Sequence, residues 1–260
     1  MKPAVTLFAA LSLVACSQEA PQAAAPAVSH ASTASVQPKS DLFVPAWDGA
    51  VVKGKVVFEG TAPRDKKIAL DADPYCTQAN ADPMKTEVYV IGKSGEMANI
   101  VVWVKKGLPD KKYDAPKEAA VLDQKSCRYS PHVLPLMVGQ TLKIRNSDDT
   151  MHNVHGLGTV NPEFNFGQAK KGGEEDKVFA SAEFIKIKCD VHGWMSAWVA
   201  VIPHPYFAVT GADGLFAIQG LPAGEYEVEA WHEKLGVQSA TVKIGDKESK
   251  DVNFTFKPAK

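Results

Sequence analysis

From Trp47 onward, hydrophobic and polar positions alternate in short runs that are separated by Gly, Pro, Asp and Asn. In GEYEVEAW, Tyr226, Val228 and Ala230 alternate with three glutamates, which predicts a strand with one buried face and one solvated face. No amphipathic helix is evident, although the stretch from Pro74 to Met84 has room for a helical turn or two. The spacing of the runs predicts an all-β chain of sandwiches or barrels. Strands are predicted in AVVKGKVVFEG, TEVYVIG, NIVVWVKKG, QTLKIRN, KVFASAEFIKIKC, AWVAVIP, LFAIQG, EYEVEAW, SATVKIG and DVNFTF.

The N-terminal segment has a different character from the rest of the chain. Residues 1–15 carry one Lys and an apolar stretch that is too short to span a bilayer, which predicts a signal peptide. The end of this segment, LVAC, resembles a bacterial lipobox and implies lipid attachment at Cys16; the alternative is a plain signal peptide with an incidental cysteine. Ser17 after the cysteine favours the outer membrane by analogy with bacterial lipoproteins. Residues 16–45 are rich in Ala, Pro, Ser and Gln and are predicted to form a flexible linker.

Export with a lipid anchor predicts a periplasmic location at the outer membrane, with membrane association through the lipid alone. The formal net charge is −1 and neither sign forms a long block, so nucleic acid is not expected as a partner. No nucleophile motif, phosphate-binding loop or paired carboxylates at a recognisable spacing are present, and an enzyme is not predicted. The acidic clusters Asp148-Asp149 and Glu174-Glu175-Asp176 are interpreted as parts of turns and solvated loops.

The chain has four cysteines, and their count limits how they pair. With Cys16 assigned to lipid, the other three cannot all pair within one chain in an oxidising compartment. Cys189 has a histidine and a methionine close by and is the cysteine that is left over. A disulfide between Cys76 and Cys127 is therefore predicted; the alternative is that both stay free and buried.

The segment CDVHGWM holds the densest chemistry in the sequence. In the preceding FIKIK run, Ile185 and Ile187 share a face with Cys189, so the thiol is expected to point into the sandwich. His192 and Met195 follow at intervals of three residues, which suits a tight loop. A thiolate, an imidazole and a weak thioether match a blue-copper site, which needs one more histidine. The alternative is a buried free cysteine beside a surface histidine.

A second segment supplies that histidine. TMHNVH follows the predicted strand QTLKIRN and contains His152 and His155. Together, Tyr129-Ser-Pro131, VGQTLKIRNSDDTMHNVH, CDVHGWM and AWVAVIP resemble a cupredoxin of the plastocyanin and amicyanin group, and the C-x-x-H-x-x-M spacing is similar to that of amicyanin. The resemblance covers about residues 121–203 and implies a Greek-key sandwich that binds one type 1 copper ion.

The resemblance also implies roles for individual residues. The copper ligands would be His152, Cys189, His192 and an axial Met195, and Asn153 would help to fix the ligand segment. His132 and His155 are less certain ligands.

By the same resemblance, His192, Gly193 and Trp194 would form the electron port and docking surface; the alternative for Trp194 is a buried core aromatic. Gly193-Trp194 stands where amicyanin has Pro-Phe, so the rigidity of the loop is expected to differ.

The C-terminal stretch TGADGLFAIQGLPAGEYEVEAWHEKLG resembles the carboxypeptidase regulatory-like (transthyretin-like) β-sandwich, over about residues 207–256. The predicted division is a cupredoxin-like domain with an N-terminal extension at 46–204 and a small sandwich at 205–260. This second sandwich is either truncated or completed by strands from 48–60.

These observations predict one-electron transfer between periplasmic or membrane redox proteins whose identity the sequence does not specify. A copper-binding or copper-delivery protein is the first alternative, and a surface binding module with a structural metal is another. A red-copper or enzymatic site would follow if His132 or His155 replaced Met195 as a ligand.

Overall fold

The computed structural model describes residues 49–63 and 66–258, which all fall in one compact unit. The predicted signal peptide, the lipidation site Cys16 and the linker at 16–45 lie outside the described residues. Within the described part of the chain, no helix has the length and apolar character needed to cross a membrane.

The described residues are almost entirely β-structure, as the alternating pattern predicts. Seventeen strands and one six-residue helix are present in this part of the chain. In chain order they are β1 Ala50–Phe58, α1 Pro74–Ala79, β2 Val101–Lys106, β3 Ala120–Lys125, β4 Arg128–Ser130, β5 Val133–Met137, β6 Thr141–Asn146, β7 His152–Leu157, β8 Phe164–Gln168, β9 Glu174–Val178, β10 Glu183–Lys188, β11 Ser196–Ile202, β12 Phe207–Val209, β13 Leu215–Leu221, β14 Gly224–His232, β15 Gly236–Ile244, β16 Ser249–Asp251 and β17 Phe254–Phe256.

The first sandwich consists of a five-stranded sheet, β5-β11-β10-β7-β8, and a four-stranded sheet, β4-β3-β6-β9. Its core is apolar and contains side chains from both sheets, such as Leu122 and Ile144 from one and Ile185 and Val199 from the other. Connections between these strands cross from one sheet to the other, and the pairs β5–β11 and β3–β6 are parallel. Crossing connections of this kind are typical of Greek-key sandwiches.

The second sandwich combines strands from both ends of the described chain. β1 lies between β13 and β16 in one sheet and also pairs with β17, while the other sheet has the order β12-β2-β14-β15. This is the arrangement in which residues 48–60 complete the C-terminal sandwich. The predicted division at 204/205 assigned Val101–Lys106 to the cupredoxin-like domain. In the structure this strand, β2, pairs with β12 and β14 of the second sandwich.

The two sandwiches pack through the outer faces of one sheet each. Along β11, Ala197 and Val199 point into the first core, whereas Ala200 and Ile202 join a smaller cluster between the sandwiches. That cluster also contains three aromatic rings. The centre of the Trp231 ring lies 4.7 Å from that of Phe184 and 5.1 Å from that of Trp198. Burial on both faces explains why β11 is hydrophobic at nearly every position.

Two predicted strands differ from those observed. TEVYVIG forms no strand and contributes only isolated bridges near its end, such as Ile91 to Met97. KVFASAEFIKIKC is interrupted after Val178, where the chain leaves β9 of one sheet and enters β10 of the other. Alternation alone therefore indicated which side chains share a face, but it did not show the sheet to which each segment belongs.

Candidate metal centre

Three potential metal ligands converge inside the first sandwich. The imidazoles of His152 and His192 and the thiol of Cys189 offer donor atoms that all lie within 4.8 Å of one another. The Nδ1 atoms of the two rings are 3.0 Å apart, and Nδ1 of His192 lies 3.9 Å from Sγ of Cys189. All three side chains are buried, with at most 2% of their surface exposed.

The sequence folds locally in a way that brings these donors together. His152 begins β7, and Cys189 immediately follows β10, the strand that pairs with β7. A tight loop then returns the chain, closed by backbone hydrogen bonds from Met195 N–H to the His192 carbonyl and from Cys189 N–H to the Met195 carbonyl. The loop begins at Cys189 and brings the His192 ring back to the thiol of that residue.

Asn153 connects the ligand strand to the ligand loop. Its side-chain oxygen accepts a hydrogen bond from the Asp190 N–H at 3.0 Å, and its own N–H points at Sγ of Cys189 at 3.3 Å. The His192 N–H also points at this sulfur at 3.3 Å. These contacts are those expected of a residue that holds the ligand segment in place.

The surroundings of the thiol favour its ionised form. Burial raises the pKa of Cys189, but hydrogen bonding to His152 and to the N–H groups of Asn153 and His192 opposes this, and the net pKa is lowered. A thiolate is the form in which cysteine binds metals. The lowered pKa therefore makes Cys189 better suited to binding a cation than a free cysteine is.

Behind His152 lies a buried carboxylate. The Nε2–H of His152 donates to Oδ2 of Asp148 at 2.9 Å, and the Asp148 side chain is only 2% exposed. The same carboxylate accepts the N–H groups of Ser126 and Cys127, each at 2.7 Å, and the hydroxyl of Tyr75 at 3.1 Å. Asp148 is therefore not part of a solvated turn, and the sequence-based interpretation of this residue is wrong.

Behind His192 lies a second carboxylate, from the segment that precedes β2. The His192 Nε2–H donates to Oδ2 of Asp73 at 2.9 Å. A ring that donates through Nε2 carries no proton on Nδ1 in its neutral form, and its lone pair then points from Nδ1 towards the other ring. Two such lone pairs at 3.0 Å repel unless a proton or another cation lies between them.

The donor set fits copper. Two imidazole nitrogens and a thiolate provide the trigonal plane of a blue-copper site, for which a thioether is the common axial ligand. Met195 is buried in the same core as Cys189, with 2% of its surface exposed. The assignment of the four residues as copper ligands remains a prediction.

The predicted disulfide is present and lies against the candidate centre. Cys76 in α1 is bonded to Cys127 in the turn between β3 and β4, while Cys189 is free. Sγ of Cys76 is 3.9 Å from Nε2 of His192. The disulfide thus fixes the segment containing Asp73 onto the ligand-bearing sandwich.

The two less certain histidines do not join the centre. His132 is buried between the sandwiches, where Nδ1 bonds to the Ser196 carbonyl at 3.0 Å and Nε2 to Glu233 at 2.5 Å. His155 lies on the opposite face of β7 from His152 and contacts the carboxylates of Asp190 and Glu163. Neither ring can replace Met195 in this arrangement.

The predicted electron port differs from the observed surface. His192 is 2% exposed and is covered by Asp73, although Gly193 is exposed. Trp194 is half-buried, stacks obliquely at 5.0 Å from the His192 ring and donates its indole N–H to the Cys127 carbonyl. The edge of His192 is therefore not available to a partner, because the segment before β2 packs over it.

Asp73 and Asp148 are the functional residues that the sequence patterns did not reveal. Asp73 is followed by proline, which is a common helix start, and its side chain accepts the Tyr75 N–H at 2.8 Å as an N-cap. That signal predicts a cap but no contact with a ligand 119 positions away. Asp148 lies four residues before His152, a spacing that has no special meaning in an extended loop.

Comparisons with known proteins give partial likenesses to solved structures and no family. No family model matches the chain, and no curated protein matches it. Among solved structures, the chain is similar to a reduced Cu(I) form of an amicyanin variant at 23% identity and a TM-score of 0.30, over 38% of this chain and 97% of that one. It is also similar to a purple cupredoxin from Nitrosopumilus maritimus at 25% identity and a TM-score of 0.28, over 34% of this chain and 99% of that one.

A third similar structure is a copper-containing nitrite reductase from Thermus scotoductus SA-01, at 17% identity and a TM-score of 0.29. The likeness covers 37% of this chain but only 25% of that enzyme. At TM-scores this low, the likenesses do not bear on the function. The fold and the site themselves define an all-β protein whose candidate functional site is a buried cluster of two histidines and one cysteine.

Proposed function

We propose that this protein is a type 1 copper protein that transfers single electrons between periplasmic or membrane redox proteins. It is held at the outer membrane by lipid on Cys16, which makes it a tethered carrier. The observation that supports this function is the convergence of two Nδ1 atoms and one Sγ atom in a buried site.

The chemistry of the donors favours a redox-active ion. A copper ion held by His152, His192, Cys189 and Met195 would provide a one-electron couple, since thiolate and thioether suit Cu(I) and imidazole suits both oxidation states. The ligands come from β7, from the end of β10 and from a hydrogen-bonded loop, so the sandwich holds them in one geometry. A rigid ligand set reduces the rearrangement that accompanies a change in charge.

The same residues favour a carrier over an enzyme. The three converging side chains are buried, Trp194 and the Cys76–Cys127 disulfide pack beside them, and Asp73 closes the side nearest His192. These groups cover the donor atoms, which favours electron transfer over the binding of a substrate at the metal.

The direct test is titration of the purified protein with Cu(II), followed by visible absorption and EPR spectroscopy. An intense thiolate-to-copper band that saturates at one equivalent is expected in the wild-type protein and in the matched control His155→Gln, and it should vanish in Cys189→Ser. A weakly absorbing complex that Cys189→Ser leaves unchanged would show that the thiol is not a ligand and would overturn the proposal.

The covered position of His192 favours a second function, in which the protein stores or delivers copper. Electron self-exchange requires close approach to a ligand edge, and Asp73 blocks the edge that would serve. Slow self-exchange together with copper transfer to a metal-free acceptor would favour this second function. Fast self-exchange and a reversible couple would favour the electron carrier.

A further inference from the structure

A carboxylate stands behind each of the two imidazoles of the candidate centre. Asp148 accepts the Nε2–H of His152 and Asp73 accepts that of His192, both at 2.9 Å. The two carboxylates come from different segments, since Asp148 precedes β7 and Asp73 precedes α1. Each ring thus has a carboxylate at Nε2 and the other ring at Nδ1.

Asp73 is fixed in place by several contacts. Its Oδ1 accepts the backbone N–H groups of Tyr75 and Cys76 at 2.8 and 3.4 Å. Its Oδ2 accepts the Thr150 hydroxyl at 2.9 Å in addition to the His192 ring. The side chain is 17% exposed, so the carboxylate lies at the rim of the buried site.

The helix that carries Asp73 is itself attached to the ligand sandwich. Cys76 is disulfide-bonded to Cys127, and the Tyr75 hydroxyl donates to Oδ1 of Asp148 at 3.1 Å. Asp148 in turn accepts the N–H groups of Ser126 and Cys127, which both have positive φ angles in the tight turn after β3. The two carboxylates therefore belong to one connected network that spans the ligand set.

We propose that Asp73 is a positioning residue of the metal centre that selects the Nε2–H tautomer of His192 and, together with Asp148, favours the more highly charged oxidation state of the metal. The inference rests on the proposed function in requiring that His152, Cys189 and His192 bind the metal. It goes further by assigning a role to the N-terminal extension.

The charge argument has a definite sign. Each carboxylate accepts a proton held by a ligand ring, which increases the electron density on Nδ1. Each also contributes a negative charge that attracts a doubly charged ion about twice as strongly as a singly charged one at the same distance. In a buried site this attraction is weakly screened, so both effects favour Cu(II) over Cu(I).

The first test uses the complete, copper-loaded protein. Dissociation constants for Cu(II) and Cu(I) are measured by chelator competition in wild type and in Asp73→Asn, which keeps an oxygen acceptor but removes the charge. The ratio of Cu(I) to Cu(II) affinity should rise about tenfold, which corresponds to a 59 mV higher reduction potential for a one-electron couple. A similar rise is expected for Asp148→Asn.

The matched control is Asp213→Asn. Asp213 also accepts the backbone N–H of the residue two positions later, Leu215, at 3.0 Å, but it lies in the second sandwich. The affinity ratio should not change in this variant. An unchanged ratio in Asp73→Asn and Asp148→Asn, or an equal change in Asp213→Asn, would overturn the electrostatic role.

A second test needs no metal. Long-range ¹H–¹⁵N spectra of the metal-free protein should show the Nε2–H tautomer of His192 in wild type and a mixture of tautomers in Asp73→Ala. A tautomer that Asp73→Ala leaves unchanged, with the protein folded by circular dichroism, would overturn the positioning role. Because this measurement is independent of copper, it separates failure of this inference from failure of the proposed function.

Discussion

Two histidines lie buried in the second sandwich and two in the candidate centre of the first, and these two pairs differ in what they contact. In the second sandwich, His204 donates from Nε2 to the Val104 carbonyl at 2.8 Å, and its Nδ1 accepts the Tyr206 N–H at 3.2 Å. His232 likewise donates to a backbone carbonyl and accepts two backbone N–H groups. In the first sandwich, carboxylates take the place of the carbonyls, and Nδ1 of each ring faces the other ring.

The contrast shows that burial alone does not mark a functional histidine. Burial lowers the pKa of His204 to about 4, and it also lowers the pKa of His232, so both rings remain neutral and structural. Burial acts on His152 in the same direction, but Asp148 and Cys189 outweigh it and the pKa is raised. The distinguishing feature is the charge of the partners, which in the first sandwich favours a bound cation.

The largest expected difference between the two pairs is in metal affinity. His192→Ala should weaken Cu(II) binding by roughly 100-fold or more, because the proposed site loses one of its four ligands, and a quarter of the ~10–16 kcal/mol typical of a four-ligand structural zinc site is about 2.5–4 kcal/mol. His204→Ala should leave the affinity unchanged and lower the free energy of unfolding by about 1–3 kcal/mol, because the Val104 and Tyr206 backbone groups lose their partner. Chelator competition and urea denaturation measure the two effects. Equal losses of affinity in the two variants would erase the distinction between the pairs.

A disulfide is present in the first sandwich and not in the described part of the second, so reduction should affect the two unequally. Replacing both Cys76 and Cys127 with alanine should lower the free energy of unfolding of the metal-free protein by about 2–5 kcal/mol, since the bridge closes a loop between positions 51 residues apart. Urea denaturation monitored by tryptophan fluorescence gives the value. Wild type in excess reductant is the control and should show the same loss. No change in either sample would mean that α1 docks without the bridge.

The contact between the sandwiches should be sensitive to pH. His132 of the first sandwich pairs with Glu233 of the second, and the two side chains are 3% and 7% exposed. Burial lowers the pKa of His132, but Glu233 outweighs it and the net pKa lies above 6.5; burial raises the pKa of Glu233, but His132 outweighs it and the net pKa lies below 4.5. The ion pair therefore stabilises the fold fully between pH 4.5 and pH 6.5, the ordinary pKa values of glutamate and histidine. The stabilisation declines as pH rises through the raised pKa of His132 or falls through the lowered pKa of Glu233.

Glu233→Gln should accordingly cost about 1–3 kcal/mol near pH 5.5, and the cost should fall towards pH 9 as the His132 ring loses its proton. Urea denaturation of wild type and variant across this range provides the comparison. A cost that does not depend on pH would mean that the pair is held as a neutral hydrogen bond.

The smallest effect is expected at the surface. His155 lies on the same strand as His152 but on its outer face, between partially exposed carboxylates. His155→Gln should change neither the copper affinity nor the unfolding midpoint beyond measurement error, because exposed ion pairs contribute little. A loss of copper binding in this variant would assign His155 to the centre and contradict the observed geometry.

Strands were predictable where one face is buried and the other solvated, as in β14, because alternation then records the environment directly. The prediction was wrong for TEVYVIG, which alternates but lies outside every sheet. It missed β5, in which all five residues are buried and which contains Pro135. β5 is an edge strand, where a missing N–H is tolerated, and a sequence pattern cannot distinguish an edge from a loop.

The sequence by itself determined the candidate ligand loop. Cys189, His192 and Met195 are close because they are three residues apart, and a short loop brings side chains at that spacing together. The sequence also supplied His152 and His155 as candidates, but the choice between them required the fold, which places them on opposite faces of β7.

Only the tertiary structure decided what surrounds the ligands. It placed Asp73 behind His192 and Asp148 behind His152, and it covered the ring edge that was expected to face a partner. Such contacts depend on which surfaces pack together once the core forms, and an aspartate that caps a helix has the same sequence signature wherever that helix docks. The candidate ligands of the loop are therefore set by local spacing, whereas the pairing with His152 and the charge environment are set by the packed fold.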